Sequence, residues 1–149
     1  MRRSFEDLER GSVLVRLTRA FDFSASLRCA RSDLSEAENR ALFGRAANQH
    51  GHNYRLEVTV RGEPDPVTGM VMDLNELKAV IEREIGARFD HRDLNRDTPF
   101  FEKAPPTPEN FARVIFELLR AALGERLHGI RLRQDADLWV DAVAERGGA

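Results

Sequence analysis

The sequence predicts an α+β domain, an antiparallel sheet with helices packed on one face. Three observations lead there. Residues 50–61 alternate along a full strand: His50, His52, Tyr54, Leu56, Val58 and Val60 share one side, and Asn53, Arg55, Glu57, Thr59 and Arg61 share the other. Leu74, Leu77, Val80, Ile81 and Ile85, and later Phe111, Val114, Ile115, Leu118, Leu119 and Ala122, recur at helical spacing. The order is strand, strand, helix, helix, strand, strand, which suits a sheet covered by a helix pair.

The elements follow in chain order. Residues 1–11 are polar and expected to be loose, so the domain is expected over residues 12–146. Val13, Val15 and Leu17, then Phe21, Phe23, Ala25, Leu27 and Cys29, occupy odd positions of one long strand, with a bulge expected near Ala20. Ser35 stands three residues before Glu38, a capping box that predicts a short helix over 36–46. The alternating strand over 50–61 comes next, and the Gly- and Pro-rich stretch 62–69 is a turn. Asp73 is an N-cap for a helix ending near 86–89. A polar loop covers 90–106. Thr107-Pro108 opens a second long helix, with a capping hydroxyl and a proline at the first helical position, and Gly124 closes it. Ile130 and Leu132 mark a third strand, and residues 138–143 a fourth. The tail, 147–149, is expected to be flexible.

The chain has 149 residues, of which 42% are hydrophobic and 32% charged, an ordinary composition for a globular domain with a buried core. The 23 basic and 25 acidic side chains are interspersed and leave a net charge of -2. That balance gives no electrostatic case for a nucleic-acid partner. No apolar run reaches the roughly 20 residues of a membrane span. The single cysteine, Cys29, excludes an internal disulfide, and the N-terminal stretch lacks the apolar segment of a secretory signal. A cytoplasmic protein is expected.

Two constellations could carry chemistry. His50 and His52 lie two apart on a strand, so both imidazoles face one way and could share a metal ion. Catalytic zinc usually takes three protein ligands, so two histidines also suit a packed or surface pair. Asp90-His91 could shuttle protons, the carboxylate orienting the ring, or could be a histidine near a helix C-terminus. Cys29 on a strand reads first as a small buried hydrophobe. Trp139, in the last strand, reads as core or subunit interface, and His128 has no assigned role.

Five segments stand in order along the chain: Phe21-Asp22-Phe23-Ser24-Ala25-Ser26-Leu27-Arg28, His50-Gly51-His52-Asn53-Tyr54, Gly69-Met70-Val71-Met72-Asp73-Leu74, Phe89-Asp90-His91-Arg92-Asp93-Leu94-Asn95 and Pro106-Thr107-Pro108-Glu109-Asn110. Taken together they resemble the 6-pyruvoyl-tetrahydropterin synthase / 6-carboxytetrahydropterin synthase family. The resemblance implies a tunnelling fold (T-fold): a four-stranded antiparallel sheet with two helices on one face, joined edge to edge into an oligomeric barrel, a trimer or hexamer. It implies a pterin or purine-like ligand and action on 7,8-dihydroneopterin triphosphate. It also implies zinc bound by histidines that include His50 and His52, a proton relay through Asp90 and His91, and ligand contacts from Thr107 and from position 134.

The chain departs from that family at three places. The resemblance puts the third zinc histidine at position 27, where Leu27 stands without a lone pair. Cys29 shares its strand face but lies two residues, about 7 Å, further along. The family base is a cysteine at the slot of Ala46, or a glutamate at the slot of Ala47, and alanine can neither take a proton nor attack. The Glu-Thr pair that grips the pterin falls on Gln134-Asp135, where Gln134 keeps one acceptor but not the charge. The expectation is a pterin-binding T-fold protein with lost or altered lyase chemistry. Its alternatives are an active zinc-dependent lyase and a non-catalytic subunit of a mixed T-fold oligomer.

Overall fold

The computed structural model describes residues 2–8 and 13–145. Residues 1, 9–12 and 146–149, which include part of the expected loose start and the expected flexible tail, lie outside the described residues. Within the first segment Glu6–Leu8 form a short 3-10 turn, with the Asp7 carboxylate accepting from the Ser4 amide.

Strands β1 (Val15–Leu27) and β2 (His50–Gly62) pair antiparallel in one unbroken register, from Val15 opposite Gly62 to Leu27 opposite His50. The bulge expected near Ala20 is therefore absent. Arg19, which interrupts the apolar odd positions, stays in register opposite Val58 and is only partly buried. Its long stem can lie along the sheet while its charge reaches water. The irregularity sits instead between β2 and β4 (Leu127–Asp135), at Thr59 and Val60. Strand β5 (Leu138–Val143) completes that side by pairing with β4.

The sheet has five strands, not four: a two-residue strand at one edge, then β1, β2, β4 and β5. The extra strand, β3 (Arg92–Asp93), lies within the expected loop and runs parallel to β1 beside Ala25 and Ser26. No local pattern announces two residues. They are recruited because the His91 and Leu94 amides donate to the carbonyls of Ser24 and Ser26, at 2.6 and 2.8 Å.

The capping box at Ser35 and Glu38 forms as expected and opens α1 (Glu36–Phe43), which ends three residues earlier than predicted and passes into a 3-10 turn over Gly44–Ala47. The predicted helix after Asp73 is present as α2 (Leu74–Ile81), a π turn over Glu82–Gly86 and α3 (Ala87–Phe89). A Cβ on Gly86 would stand 3.0 Å from the Phe21 ring, so glycine allows this helix to press onto β1. Helix α4 (Pro108–Leu123) begins at Thr107 and ends at Gly124, as predicted.

One apolar core lies between the sheet and the α2 and α4 side. Its centre is Phe111 of α4, whose ring meets Phe89, Tyr54, Phe101 and Phe23 at centroid distances of 5.0, 5.2, 5.7 and 5.9 Å, all near edge-on. Edge-to-face packing suits the aromatic quadrupole. This cluster fixes Tyr54, and with it the end of β2 that carries the two histidines.

Candidate functional site

His50 and His52 do share one face, with ring centroids 5.1 Å apart and nearly perpendicular. Gly51 between them lets β1 come close, since a Cβ there would stand 3.2 Å from the Ala25 carbonyl oxygen. His50 Nδ1 lies 2.7 Å from the Asn48 carbonyl oxygen. With Nδ1 donating to that carbonyl, the Nε2 lone pair of His50 is free. His52 packs on Tyr54 at 5.7 Å. Burial, then the nearby His50, hold its imidazole below the ordinary range, while Asp135 acts against them.

These are good nitrogen donors, but they are two. The side chain opposite His50 is Leu27, 1% exposed. Among the described residues no group of three His, Cys, Asp or Glu side chains stands together as a metal set. Cys29 does not complete one: its amide donates to the Ala46 carbonyl at 2.7 Å and it is buried beyond the end of β1. The residues present do not fit a zinc centre with three ligands from this chain.

Asp90 and His91 form a real pair. His91 Nδ1 lies 2.8 Å from Asp90 Oδ1, which also accepts from the Ser24 amide at 3.0 Å. The carboxylate is thus anchored to β1 and fixes the ring, with Nδ1 donating to it and Nε2 turned outward to exchange a proton. The His91 side chain is 82% exposed, and its backbone takes a φ of 59°, a left-handed conformation rare for a residue with a Cβ. The hydrogen bond its amide N–H donates to the Ser24 carbonyl holds it there.

Two hollows meet at the end of β2. One, about 390 Å³, is lined by Ser24, Ser26, Gly51, His52, Asn53 and His91, so it brings the histidine strand and the Asp90–His91 turn to one cavity. The other, about 500 Å³, is lined by His52, Asn53, Arg55, Arg133, Gln134 and Asp135. Gln134 lines this second hollow. Thr107 is placed otherwise: its Oγ1 accepts from the Asn110 amide at 3.2 Å as the cap of α4, and it lines neither hollow.

Sequence reasoning missed Ser24 and Asn53. They sit opposite each other on β1 and β2, the Ser24 hydroxyl donating to Asn53 Oδ1 at 2.7 Å. Alternation placed them on one face but could not show which strand positions pair. Glu109 was also passed over: burial, then the Glu109 charge, push the Cys29 thiol up, away from a ready nucleophile. Next to it Tyr54 is 1% exposed, its hydroxyl enclosed without a hydrogen-bond partner.

A family profile described as 6-pyruvoyl tetrahydropterin synthase matches residues 16–145. A 6-pyruvoyl tetrahydrobiopterin synthase of Poecilia reticulata is 44% identical over 121 residues, covering 79% of this chain and 82% of that one. The Homo sapiens protein of the same name is 44% identical over 111 residues, covering 73% and 77%. A Caenorhabditis elegans 6-pyruvoyl tetrahydropterin synthase structure superposes with a TM-score of 0.83 at 34% identity, over 90% of this chain and 98% of that one. These matches support a family of named synthases; they do not speak for the loss of chemistry expected from Leu27, Ala46 and Ala47. On the fold, the profile and these identities, the chain belongs to the 6-pyruvoyl tetrahydropterin synthase family.

Proposed function

We propose that the chain is a lyase acting on the six-position side chain of a reduced pterin triphosphate, with Asp90 and His91 handling the proton. The observation behind this reading is the 2.8 Å pair itself, anchored by Ser24 and facing a hollow shared with His52. Relatives at 44% identity that bear synthase names add support.

In this reading the pterin sits where the two hollows meet, with Gln134 and Asp135 at one end and His91 at the other. His91 Nε2 takes or returns a proton at the side chain as the triphosphate leaves, and Asp90 stabilises the imidazolium that forms. A general acid–base pair of this kind contributes roughly 10²–10⁴-fold to rate. No step is assigned to zinc. The His50 Nε2 lone pair accepts from a hydroxyl of the ligand's side chain, with His52 beside it.

The protein acts as a homo-oligomer, a trimer or hexamer. Supporting this, β5 forms one edge of the sheet, and β1 beyond the two residues of β3 forms the other. Leu138, Trp139 and Val143 on one side, and Val13, Leu14 and Val15 on the other, are exposed. Unpaired edges with apolar flanks are surfaces that proteins cover.

A second reading is a pterin binder without turnover, favoured by buried Leu27 opposite His50 and by alanine at positions 46 and 47. Incubation with 7,8-dihydroneopterin triphosphate separates the two. Release of inorganic triphosphate that is lost in His91→Gln supports the lyase, and saturable binding with the substrate left intact supports the binder.

A further inference from the structure

The sheet face turned away from the helices carries a cluster of positive groups that the site above does not use. Arg16 of β1 and Arg61 of β2 are directly opposite each other in the register. Like charges in directly opposed positions destabilise a strand pair. Neither guanidinium has a carboxylate partner among the described residues. The acids on this face are already engaged: Asp141 accepts from Arg131 at 2.8 and 3.0 Å, Glu57 from Arg133 at 3.0 Å, and Asp22 from Arg55 at 3.4 and 3.5 Å.

His128 joins the two arginines through the irregularity of the sheet. Thr59 pairs with Gly129 and Val60 with Leu127, so His128 is the extra residue of a bulge. A bulge re-aims a side chain, and this one turns the imidazole onto the face that holds Arg16 and Arg61. Its Nδ1 is enclosed and meets no partner. Burial, then Arg16 and Arg61, hold the ring below its ordinary range, which reports how near the guanidiniums stand. A hollow of about 330 Å³ opens beside Arg16, its polar lining completed by Thr18, Glu57, Thr59, His128, Arg131 and Asp141, with Arg61 opposite Arg16 and outside that lining.

The fold gains nothing from gathering these groups, and an anion placed among them would relieve all three. We propose that this face is a second binding site, for a small phosphate-bearing anion held by Arg16, Arg61 and His128, with the Thr18 and Thr59 hydroxyls beside it. Two guanidiniums and an imidazole match a multiply charged phosphate with several acceptor oxygens better than a single carboxylate. The Thr18 and Thr59 hydroxyls already share a 2.7 Å hydrogen bond, and each keeps further lone pairs or a rotatable proton for a ligand. The site stands independently of the proposed lyase activity, because none of its residues lines the hollows around His52.

The test is calorimetric titration of the full chain with orthophosphate and, separately, with tripolyphosphate, at constant ionic strength set by sodium chloride. The two arms distinguish a free phosphate from a polyphosphate chain. One saturable site is expected, at least tenfold weaker in Arg16→Gln/Arg61→Gln, several-fold weaker in His128→Asn and unchanged in Arg92→Gln, which alters the His52–His91 hollow instead. Without anion, the double variant is expected to melt no lower than the wild type, since it removes an opposed like-charge pair. Absence of saturable binding at millimolar ligand overturns the proposal. So does binding lost in Arg92→Gln but kept in the double variant, or a double variant that melts well below the wild type.

Discussion

Leu27 and His50 face each other across β1 and β2, with Leu27 sealed at 1% exposure where a third histidine would complete a metal set. The sequence already showed the missing lone pair. The structure adds that the position is directly opposed to His50, so a histidine there would project toward the pair.

Zinc affinity follows from this relationship. The wild-type chain, stripped with chelator and titrated against a chromophoric competitor, is expected to bind zinc weakly. Leu27→His is expected to bind it at least tenfold more tightly. Without metal the same variant should lose on the order of 1–3 kcal/mol, because it buries a polar ring in an apolar slot. Tight stoichiometric zinc in the wild type, unaffected by His50→Ala, would contradict this.

Asp90 has two duties that substitution can separate. Asp90→Asn keeps an acceptor for the Ser24 amide but loses the charge that stabilises the His91 imidazolium. Turnover should fall about 10²–10⁴-fold with little change in melting temperature. Asp90→Ala should lose turnover and also about 1 kcal/mol of stability by leaving the Ser24 amide without its partner. Equal stability loss in both variants, measured by urea unfolding, would remove the distinction.

Tyr54 supplies a test of the core beneath the site. Its hydroxyl is enclosed and unpartnered, while its ring packs between Phe23, Phe111 and His52. Tyr54→Phe keeps the ring and should raise unfolding stability by about 1 kcal/mol. A loss of similar size would show that the hydroxyl meets a partner in solution.

Acid stability carries a sign that His128 fixes. Its imidazole lies below the ordinary value of about 6.5, so on acidification the unfolded chain binds its proton first. The contribution is complete above about pH 6.5 and is lost as pH falls through the folded value. Burial opposes the charged ring first, then Arg16 and Arg61, with Arg131, Glu57 and Asp141 on the same face. Thermal melts between pH 7 and 5 should fall less steeply in His128→Gln; a steeper fall would reverse the sign.

Much of this was legible from residues 50–61, whose alternation placed the two histidines on one face and the strand within a residue of its observed end. Ser35 with Glu38, and Thr107 with Pro108, announced two helix starts because a cap is a local interaction. What was not legible is tertiary. Strand β3 exists only because β1 offers the carbonyls of Ser24 and Ser26, and the π turn at Glu82–Gly86 lies where the helix presses on Phe21. Asp135 comes near His52 through the pairing of β4 with β2, Arg133 opposite Arg55, which no spacing in the sequence records.

The lyase reading rests on Asp90 and His91, and one measurement reaches it most directly. Wild type and Asp90→Asn are incubated in excess over 7,8-dihydroneopterin triphosphate, and the pterin is identified by mass spectrometry over time. The account predicts a pterin without its triphosphate and with an altered side chain from the wild type, and at least a hundredfold slower conversion in the variant. Unchanged substrate in both, with binding intact, would contradict the account and leave a binding protein in place of an enzyme.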